Sequence, residues 1–276
     1  MEHNPAPAPL TSVLPHIRLV ATDMDGTLTR QGSFTPTLLS TLDALAQANI
    51  PVMIVTGRSA GWVQGLVHYL PIVGAIAENG GVFFQKGNTE IHWLVDLPDR
   101  SHHRQHLATL FTVLKETHPF LRESEDNRFR LTDWTFDVQG LSQMQITALA
   151  TTCEQAGWGF TYSTVQCHIR PILQDKGPGL RQVLQRFFPA IGPQQVLTMG
   201  DSPNDVGLFD PSQFPHSVGV ANVRHYRESL PHQPRFITRD AEVAGFQDVM
   251  EQLLAIQGDP CPSSVWPSSP SLPALG

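Results

Sequence analysis

Cysteine is scarce in this 276-residue chain, and the three present are spaced for neither metal nor redox chemistry. Cys153, Cys167 and Cys261 are odd in number and form no C-x-x-C pair, which argues against a disulfide framework and suits a reducing cytosol. Long apolar runs are missing too, so no spanning helix is expected. The opening MEHNPAPAPLTSVLP has neither the basic start nor the apolar core of a secretory signal, and the expected location is cytoplasmic. Positive charge is in deficit. A net charge of −7 argues against a nucleic-acid surface, while leaving room for a local basic pocket. No internal repeat is visible. What the chain does have is length for a core domain with an insertion and a hydrophobic fraction of 41%, enough for an ordinary core.

The stretch Ile17–Leu28, IRLVATDMDGTL, organises the rest. Ile17, Leu19, Val20 and Ala21 form a short apolar run that reads as a buried parallel strand. It ends in Asp23, Met24, Asp25 and Gly26. Asp23 and Asp25 stand at i and i+2, so in a continuous strand they share a face at the sheet edge where open α/β proteins bind ligands. Gly26 allows an immediate turn that leaves backbone N–H groups near the acids. Carboxylates this close repel unless a cation joins them or a proton is shared. The stretch therefore reads as a metal site or an acid/base pair, against the plain alternative of a hydrophilic turn.

Further strands repeat the pattern. Residues 51–56 (PVMIVT) form a second strand running into Gly57, Arg58 and Ser59, and residues 72–77 a third closed by Glu78, Asn79, Gly80 and Gly81. Helices fall between them, at 37–49 with Leu38, Leu42 and Leu45 on one face, and after Ser59 with Trp62, Val63, Leu66 and Val67. Strand–helix alternation predicts an α/β, doubly wound parallel-sheet core. Between 82 and 172 the texture changes to a hairpin, then helix (104–115), strand (128–138), helix (142–155) and strand (164–171), an inserted α+β unit. The core resumes with a helix at 179–188, a strand at 195–199 ending in Gly200 and Asp201, short strands at 217–221 and 235–238, and a closing helix at 242–256. The expected organisation is a loose arm at 1–15, a core at 16–81 and 173–256, a cap at 82–172, and a Pro/Ser-rich disordered tail at 257–276.

Parallel strand ends lie on one edge, so Asp23, Asp25, Thr56, Asp201 and Asp205 converge there. Lys176 precedes a glycine-rich helix start whose dipole favours an anion. Asp23, Asp201 and Asp205 concentrate negative charge that Mg²⁺ neutralises well, while Thr56 and Lys176 suit phosphate oxygens. A carboxylate attacks phosphorus only when anionic repulsion is cancelled, and this set supplies that condition. Asp25 is placed to protonate a leaving oxygen and then to deprotonate water.

DMDGT at 23–27, VTGR at 55–58, Lys176 and GDSPND at 200–205 together resemble the four motifs of the haloacid dehalogenase-like hydrolases. AENGG at 77–81, VGVAN at 218–222 and the insertion resemble its Cof-type (subfamily IIB) branch, which includes sucrose-phosphate phosphatase and mannosyl-3-phosphoglycerate phosphatase. The resemblance covers about residues 17–256 and implies a Rossmann-like core with an inserted α+β cap. It implies a Mg²⁺-dependent phosphatase acting on a small phosphorylated metabolite such as a sugar phosphate or glycosyl-phosphoglycerate, as monomer or homodimer, without nucleic-acid or membrane partners. It makes Asp23 the nucleophile and Asp25 the acid/base. Mg²⁺ would be held by Asp23, Asp201, Asp205 and the Asp25 backbone carbonyl. The phosphoryl group would meet Thr56, Lys176, Asn204 and the Met24, Gly26 and Gly57 backbone, with Arg58 beside it. Asn204 as a helix cap and Arg58 as a surface residue are the plain alternatives. Arg122, Glu123, Arg128, Arg130, Trp134, His168 and Arg170 are cap candidates for substrate contacts, while His102, His103 and His106 read as a solvated helix start. Two rivals stand beside hydrolysis: a phosphomutase of the phosphomannomutase type, and a non-catalytic phospho-acceptor or binding module.

Overall fold

The computed structural model describes residues 9–257. Its elements, in chain order, are β1 (Leu19–Thr22), α1 (Pro36–Gln47), β2 (Val52–Val55), α2 (Ala60–Tyr69), β3 (Gly74–Ala77), β4 (Val82–Gln85) and β5 (Ile91–Trp93). There follow α3 (Arg100–Thr117), β6 (Trp134–Asp137), α4 (Gln143–Gln155), β7 (Gly159–Tyr162), β8 (Gln166–Arg170) and α5 (Lys176–Phe187). The last are β9 (Val196–Gly200), α6 (Val206–Phe209), β10 (Ser217–Gly219), β11 (Phe236–Ile237) and α7 (Glu242–Gln257).

Eight strands form one sheet in the order β11-β10-β9-β1-β2-β3-β4-β5. The six from β11 to β3 run parallel, and β4 and β5 close one edge antiparallel. β1 lies centrally between β2 and β9, and this is why its four residues are all buried and all apolar or threonine. Alternation along it feeds two cores. Val20 packs with Leu38, Val63 and Phe246 on one face, while Leu19 and Ala21 pack with Leu180, Leu184 and Phe209 on the other. The expected α/β doubly wound fold is thus present, with helices on both faces.

A second, antiparallel sheet in the order β6-β8-β7 has its own core, where Leu107, Phe111 and Leu114 of α3 meet Phe136, Leu149 and Ile169. Three expectations need adjustment. The hairpin at 82–95 forms, but it extends the main sheet instead of opening the inserted unit, because β4 pairs with β3 along four residues. Only Trp134–Asp137 of the long strand expected at 128–138 pairs as a strand; before it Glu125–Phe129 is a 3-10 turn, which accounts for the register slip in the apolar pattern. β7 is a strand that the sequence pattern does not predict, since Gly159 and three half-buried residues carry little alternation. The arm is also less loose than expected. Residues 10–16 make two 3-10 turns, Leu14 is fully buried, and Gln257 of α7 donates to the Leu14 and Ile17 carbonyls. The remainder of the arm and the tail beyond 257 lie outside the described residues. No helix among the described residues is long and apolar enough to cross a membrane.

Sheet and inserted unit meet at the turn after β3. Glu78, Asn79 and Gly80 take φ values of 53°, 52° and 97°, three successive left-handed residues that reverse the chain into β4. Buried Glu78 accepts N–H bonds from Ala60 (2.9 Å), Leu131 (2.9 Å) and Thr132 (2.6 Å), the last two from the inserted unit. Burial, then Asp133, push its carboxyl above the ordinary value, and Arg130 opposes them. A Cβ on Gly80 would collide with the carbonyl of Asp175, the N-cap of α5. Gly80→Ala combines that collision with a left-handed backbone, and its expected cost is about 2 kcal/mol or more of unfolding free energy in urea titration.

Candidate active site

The strand ends bring the acids together as the sheet geometry requires. Asp23 continues β1 by donating its N–H to the Met199 carbonyl (2.9 Å), which aligns the end of β1 with that of β9. Asp201 follows β9, and its N–H with that of Ser202 donates to Asp205 Oδ2 at 2.9 and 3.0 Å. This ties the Asp201–Asp205 loop into one rigid turn, and Asp205 fills the capping role that was the alternative for Asn204. Asp23, Asp201 and Asp205, all buried, each offer an oxygen within 4.8 Å of the others.

Lys176 is the counter-charge. It is fully buried, and its Nζ donates to Asp23 Oδ1 (2.5 Å) and Asp205 Oδ1 (2.7 Å). It lies inside the first turn of α5, which starts three residues earlier than its apolar pattern suggests because Asp175 caps it. Asp25 is paired separately. Arg58 Nε and Nη2 donate to its two oxygens at 2.8 and 2.6 Å, and the guanidinium stacks 5.0 Å from the Trp62 ring.

Three carboxylates against one ammonium leave two negative charges in a dry site, once Arg58 has matched Asp25. Burial is the largest influence on Asp23, and with Asp205 and Asp25 it outweighs Lys176, lifting the carboxyl from 3.8 to about 7. Asp201 is likewise raised well above the ordinary value, by burial and then by Asp23 and Asp205. Lys176 moves upward as well: burial disfavours its charge, but Asp205 and Asp23 hold the proton more strongly. Both partners are raised because acids outnumber bases; the ammonium stays charged and the surplus carboxylates take up protons when no cation is bound. An all-oxygen donor set with a deficit of two charges fits a hard divalent cation such as Mg²⁺.

The other expected residues fall around this centre. Thr56 is buried, and its Oγ1 accepts the Arg58 N–H at 3.1 Å, leaving the hydroxyl proton for another acceptor. Asn204 donates to Asn79 Oδ1 (3.0 Å) and accepts from the Ser202 hydroxyl (2.8 Å). Met24 is buried. Gly26 turns with φ 81° against the Asp201 carboxylate, where a side chain would collide. Its N–H is not free as expected, because it donates to Thr29 Oγ1 at 3.0 Å in the turn itself. In the sequence Asn222 and Asn79 stand out only as members of VGVAN and AENGG. Asn222 donates to Asp201 Oδ2 (2.6 Å) and the Gly26 carbonyl (3.1 Å), while the buried Nδ2 of Asn79 has no partner among the described residues.

The inserted sheet closes over the acids. Ser163, Val165, Gln166 and His168 join Asp23, Asp25, Gly57 and Asn204 around a space of about 10 Å³, room for roughly one water. Arg58, Val165 and Gln166 also border a neighbouring opening of about 290 Å³, with Trp62, Arg128 and Phe129 on its wall. Among the cap candidates, Arg130 is a buried clasp that donates to the Gly57 carbonyl (2.9 Å), Asp126 (2.9 Å) and Asp133 (2.9 Å). Trp134 packs beside the inserted core, Glu123 accepts from Asn127, and Arg170 braces the return segment through the Pro171 and Ile172 carbonyls. Arg122 lines a separate hollow with Phe120 and Gln145. His103 touches nothing catalytic; its Nε2 donates to the Thr132 carbonyl at 2.8 Å, while the His102 and His106 rings meet at a tilt, 3.9 Å between centroids.

The sequence matches the family model described as haloacid dehalogenase-like hydrolase over residues 20–127. It is 28% identical over 244 residues to a protein named phosphoglycolate phosphatase from Methanothrix thermoacetophila, covering 87% of this chain and 98% of that one. A phosphoglycolate phosphatase from Haloarcula marismortui is 29% identical over 205 residues, covering 72% and 82%. Among solved structures, Thermoplasma acidophilum 0175 superposes with a TM-score of 0.68 at 20% identity over 86% of this chain and 98% of that one. The sucrose-phosphatase from Synechocystis, solved with sucrose and phosphate, has a TM-score of 0.61 at 16% identity, covering 85% and 97%. These structural likenesses bear on the fold.

The charge balance makes two linked predictions. Between about pH 4 and pH 7 the folded chain keeps a proton on Asp23 that the unfolded chain has lost, so stability in EDTA falls as pH rises through that window. Saturating Mg²⁺ at neutral pH reverses this, with a melting temperature higher by roughly 5–10 °C at a hundredfold excess over Kd. Asp201→Asn removes one repelling charge: its metal-free melting temperature stays level or rises, and the Mg²⁺ response disappears in thermal denaturation.

Proposed function

We propose that the chain, which matches the haloacid dehalogenase-like hydrolase family model over residues 20–127, is a Mg²⁺-dependent phosphatase acting on a small phosphomonoester through an aspartyl-phosphate on Asp23. The observation that carries this reading is the buried group in which Lys176 bridges Asp23 and Asp205 with Asp201 alongside. A nucleophilic carboxylate needs such a setting, because an anion approaching a phosphate dianion is repelled until fixed positive charge cancels the repulsion.

The steps follow from the placement of these groups. An Asp23 carboxylate oxygen forms a bond to phosphorus as the ester P–O bond breaks, and Asp25 gives its proton to the departing oxygen. Water then adds to the phosphorus of the aspartyl-phosphate while Asp25 takes its proton, returning free Asp23 and inorganic phosphate. Lys176 keeps Asp23 oriented, and Thr56, Asn204 and the Gly57 amide provide donors for the phosphoryl oxygens, joined by the unpartnered Asn79 amide. Asp23, Asp201, Asp205 and the Asp25 backbone carbonyl would hold Mg²⁺, which supplies charge neutralisation at the phosphoryl group. Arg58 occupies both Asp25 oxygens, so proton transfer requires one of those two bonds to open.

Access requires movement. A space for about one water does not admit a phosphoryl group, so residues 163–168 must lift to bind substrate and settle again to exclude bulk water. The leaving group would extend into the opening beside Arg58. The proposed substrate is a sugar phosphate or glycosyl-phosphoglycerate, a reading supported by the volume of that opening, about 290 Å³. The names of the curated relatives favour phosphoglycolate as a second substrate reading.

Phosphate release from a panel of phosphoglycolate, sugar phosphates and p-nitrophenyl phosphate tests the reading. Activity is expected with Mg²⁺ and absent with EDTA; Asp23→Asn falls to background, and Asp25→Asn loses about 10²- to 10⁴-fold on alkyl esters. Isomer exchange of a bis-phosphorylated sugar without phosphate release would instead make the chain a mutase.

A further inference from the structure

We infer that His168 is a specificity-determining residue whose Nε2 accepts a hydrogen bond from a hydroxyl on the leaving group, next to the scissile ester oxygen. The inference rests on the phosphatase reading and adds to it a requirement on the substrate. His168 sits on β8, the central strand of the inserted sheet, and is buried to 1% exposure. Its Nδ1 lies 2.8 Å from Asp133 Oδ2. Asp133 is itself gripped by Arg130 Nη1 at 2.9 and 3.0 Å, and the nearby guanidinium and His168 bonds overcome burial to hold its carboxyl below the ordinary value. An ionised Asp133 can only accept, so Nδ1 carries the hydrogen and Nε2 presents a lone pair.

Nε2 lies on the ring edge that faces Gly57, beside the small space bordered by the acids. It lies 3.1 Å from the point where a Cβ on Gly57 would stand, and the Nδ2 of Asn79 lies 3.2 Å from the same point. His168 also borders the one-water space with Asp23 and Asp25. In so small a space, any group touching Nε2 is an immediate neighbour of the phosphoryl group. Lys176, Arg58 and Asn79 supply donors around the site, whereas Nε2 is an acceptor there. A phosphoryl oxygen or a carboxylate meets it lone pair to lone pair. A hydroxyl meets it with a hydrogen, taking the place a water would have.

The contact therefore separates the substrate readings above, favouring a sugar phosphate with a free vicinal hydroxyl over phosphoglycolate or a glycosyl-phosphoglycerate. An ester of a vicinal diol satisfies Nε2, and an ester whose adjoining carbon bears hydrogen or a carboxylate leaves it buried and unpaired, an arrangement that discriminates strongly. Two three-carbon esters, glycerol 1-phosphate and propyl phosphate, test this with p-nitrophenyl phosphate as the activity reference, all with Mg²⁺. The wild type is expected to favour glycerol 1-phosphate by about tenfold or more in kcat/KM. His168→Gln, whose amide reaches the Nε2 position, keeps most of that ratio. His168→Asn retains a donor for Asp133 but ends short of Nε2, and brings the ratio to about one.

Equal kcat/KM for the two esters in the wild type overturns the assignment whether or not the variants fold. So does a His168→Asn enzyme that loses activity on both esters alike and keeps the wild-type ratio, the result of a purely structural histidine. Absence of phosphate release from all three esters removes the phosphatase reading itself, and the assignment with it.

Discussion

A single ammonium holds the site together. Lys176 is removed from water and touches two carboxylates from different loops, one after β1 and one after β9. Such an arrangement is costly to bury, and the two short bonds from the ammonium offset part of that cost. It fixes the start of α5 against the ends of two strands, and glycines permit the approach: a Cβ on Gly177 would strike Gly207, and one on Gly200 would strike Asp205. The surplus of acid over base that remains is what makes the centre receptive to a divalent cation. Stability and cation affinity are therefore opposed properties of the same few atoms.

A second polar layer ties the inserted unit to this centre. Glu78 reaches from the main sheet to the backbone of Leu131 and Thr132, and Arg130 reaches back to the Gly57 carbonyl between Thr56 and Arg58. Arg130 also bonds Gln166 on β8 (2.8 Å) and Asp133, which holds His168. The turn bearing Glu78 and the loop bearing Gly57 both adjoin strands of the parallel sheet, so the covering unit is referenced to the ends of that sheet and not to a flexible side chain. Lifting the cover means breaking these buried bonds together, which favours discrete open and closed states over a continuum.

Much of the centre was legible because its chemistry is written in short local strings. Asp23 and Asp25 follow an apolar run, Asp201 and Asp205 follow another, and parallel strands place such ends on one edge whatever lies between them. Helix faces such as Leu38, Leu42 and Leu45 were equally readable from spacing, and all three are buried in the main core. Residues acting across long separations were harder. Asn222 secures Asp201, and Arg130 secures Gly57 from 73 residues away, yet neither stands in a pattern that announces its partner. The chain between 124 and 133 also resisted reading, since its conformation follows from Glu78 and Arg130 and not from local periodicity.

By itself the sequence determined the alternation of strands and helices, the sheet edge on which the acids gather, and the kind of chemistry four carboxylates and a lysine can support. Those properties depend on backbone periodicity and on residue type, which are local. Only the tertiary structure decided that Arg58 grips Asp25, that the 82–95 hairpin joins the main sheet, that the Asn79 Nδ2 finds no partner among the described residues, and that His168, held by Asp133, borders the same small space as Asp23 and Asp25. Each of these depends on which distant groups share a buried volume, where an unpaired polar atom is costly and partners are chosen by packing, not by spacing along the chain.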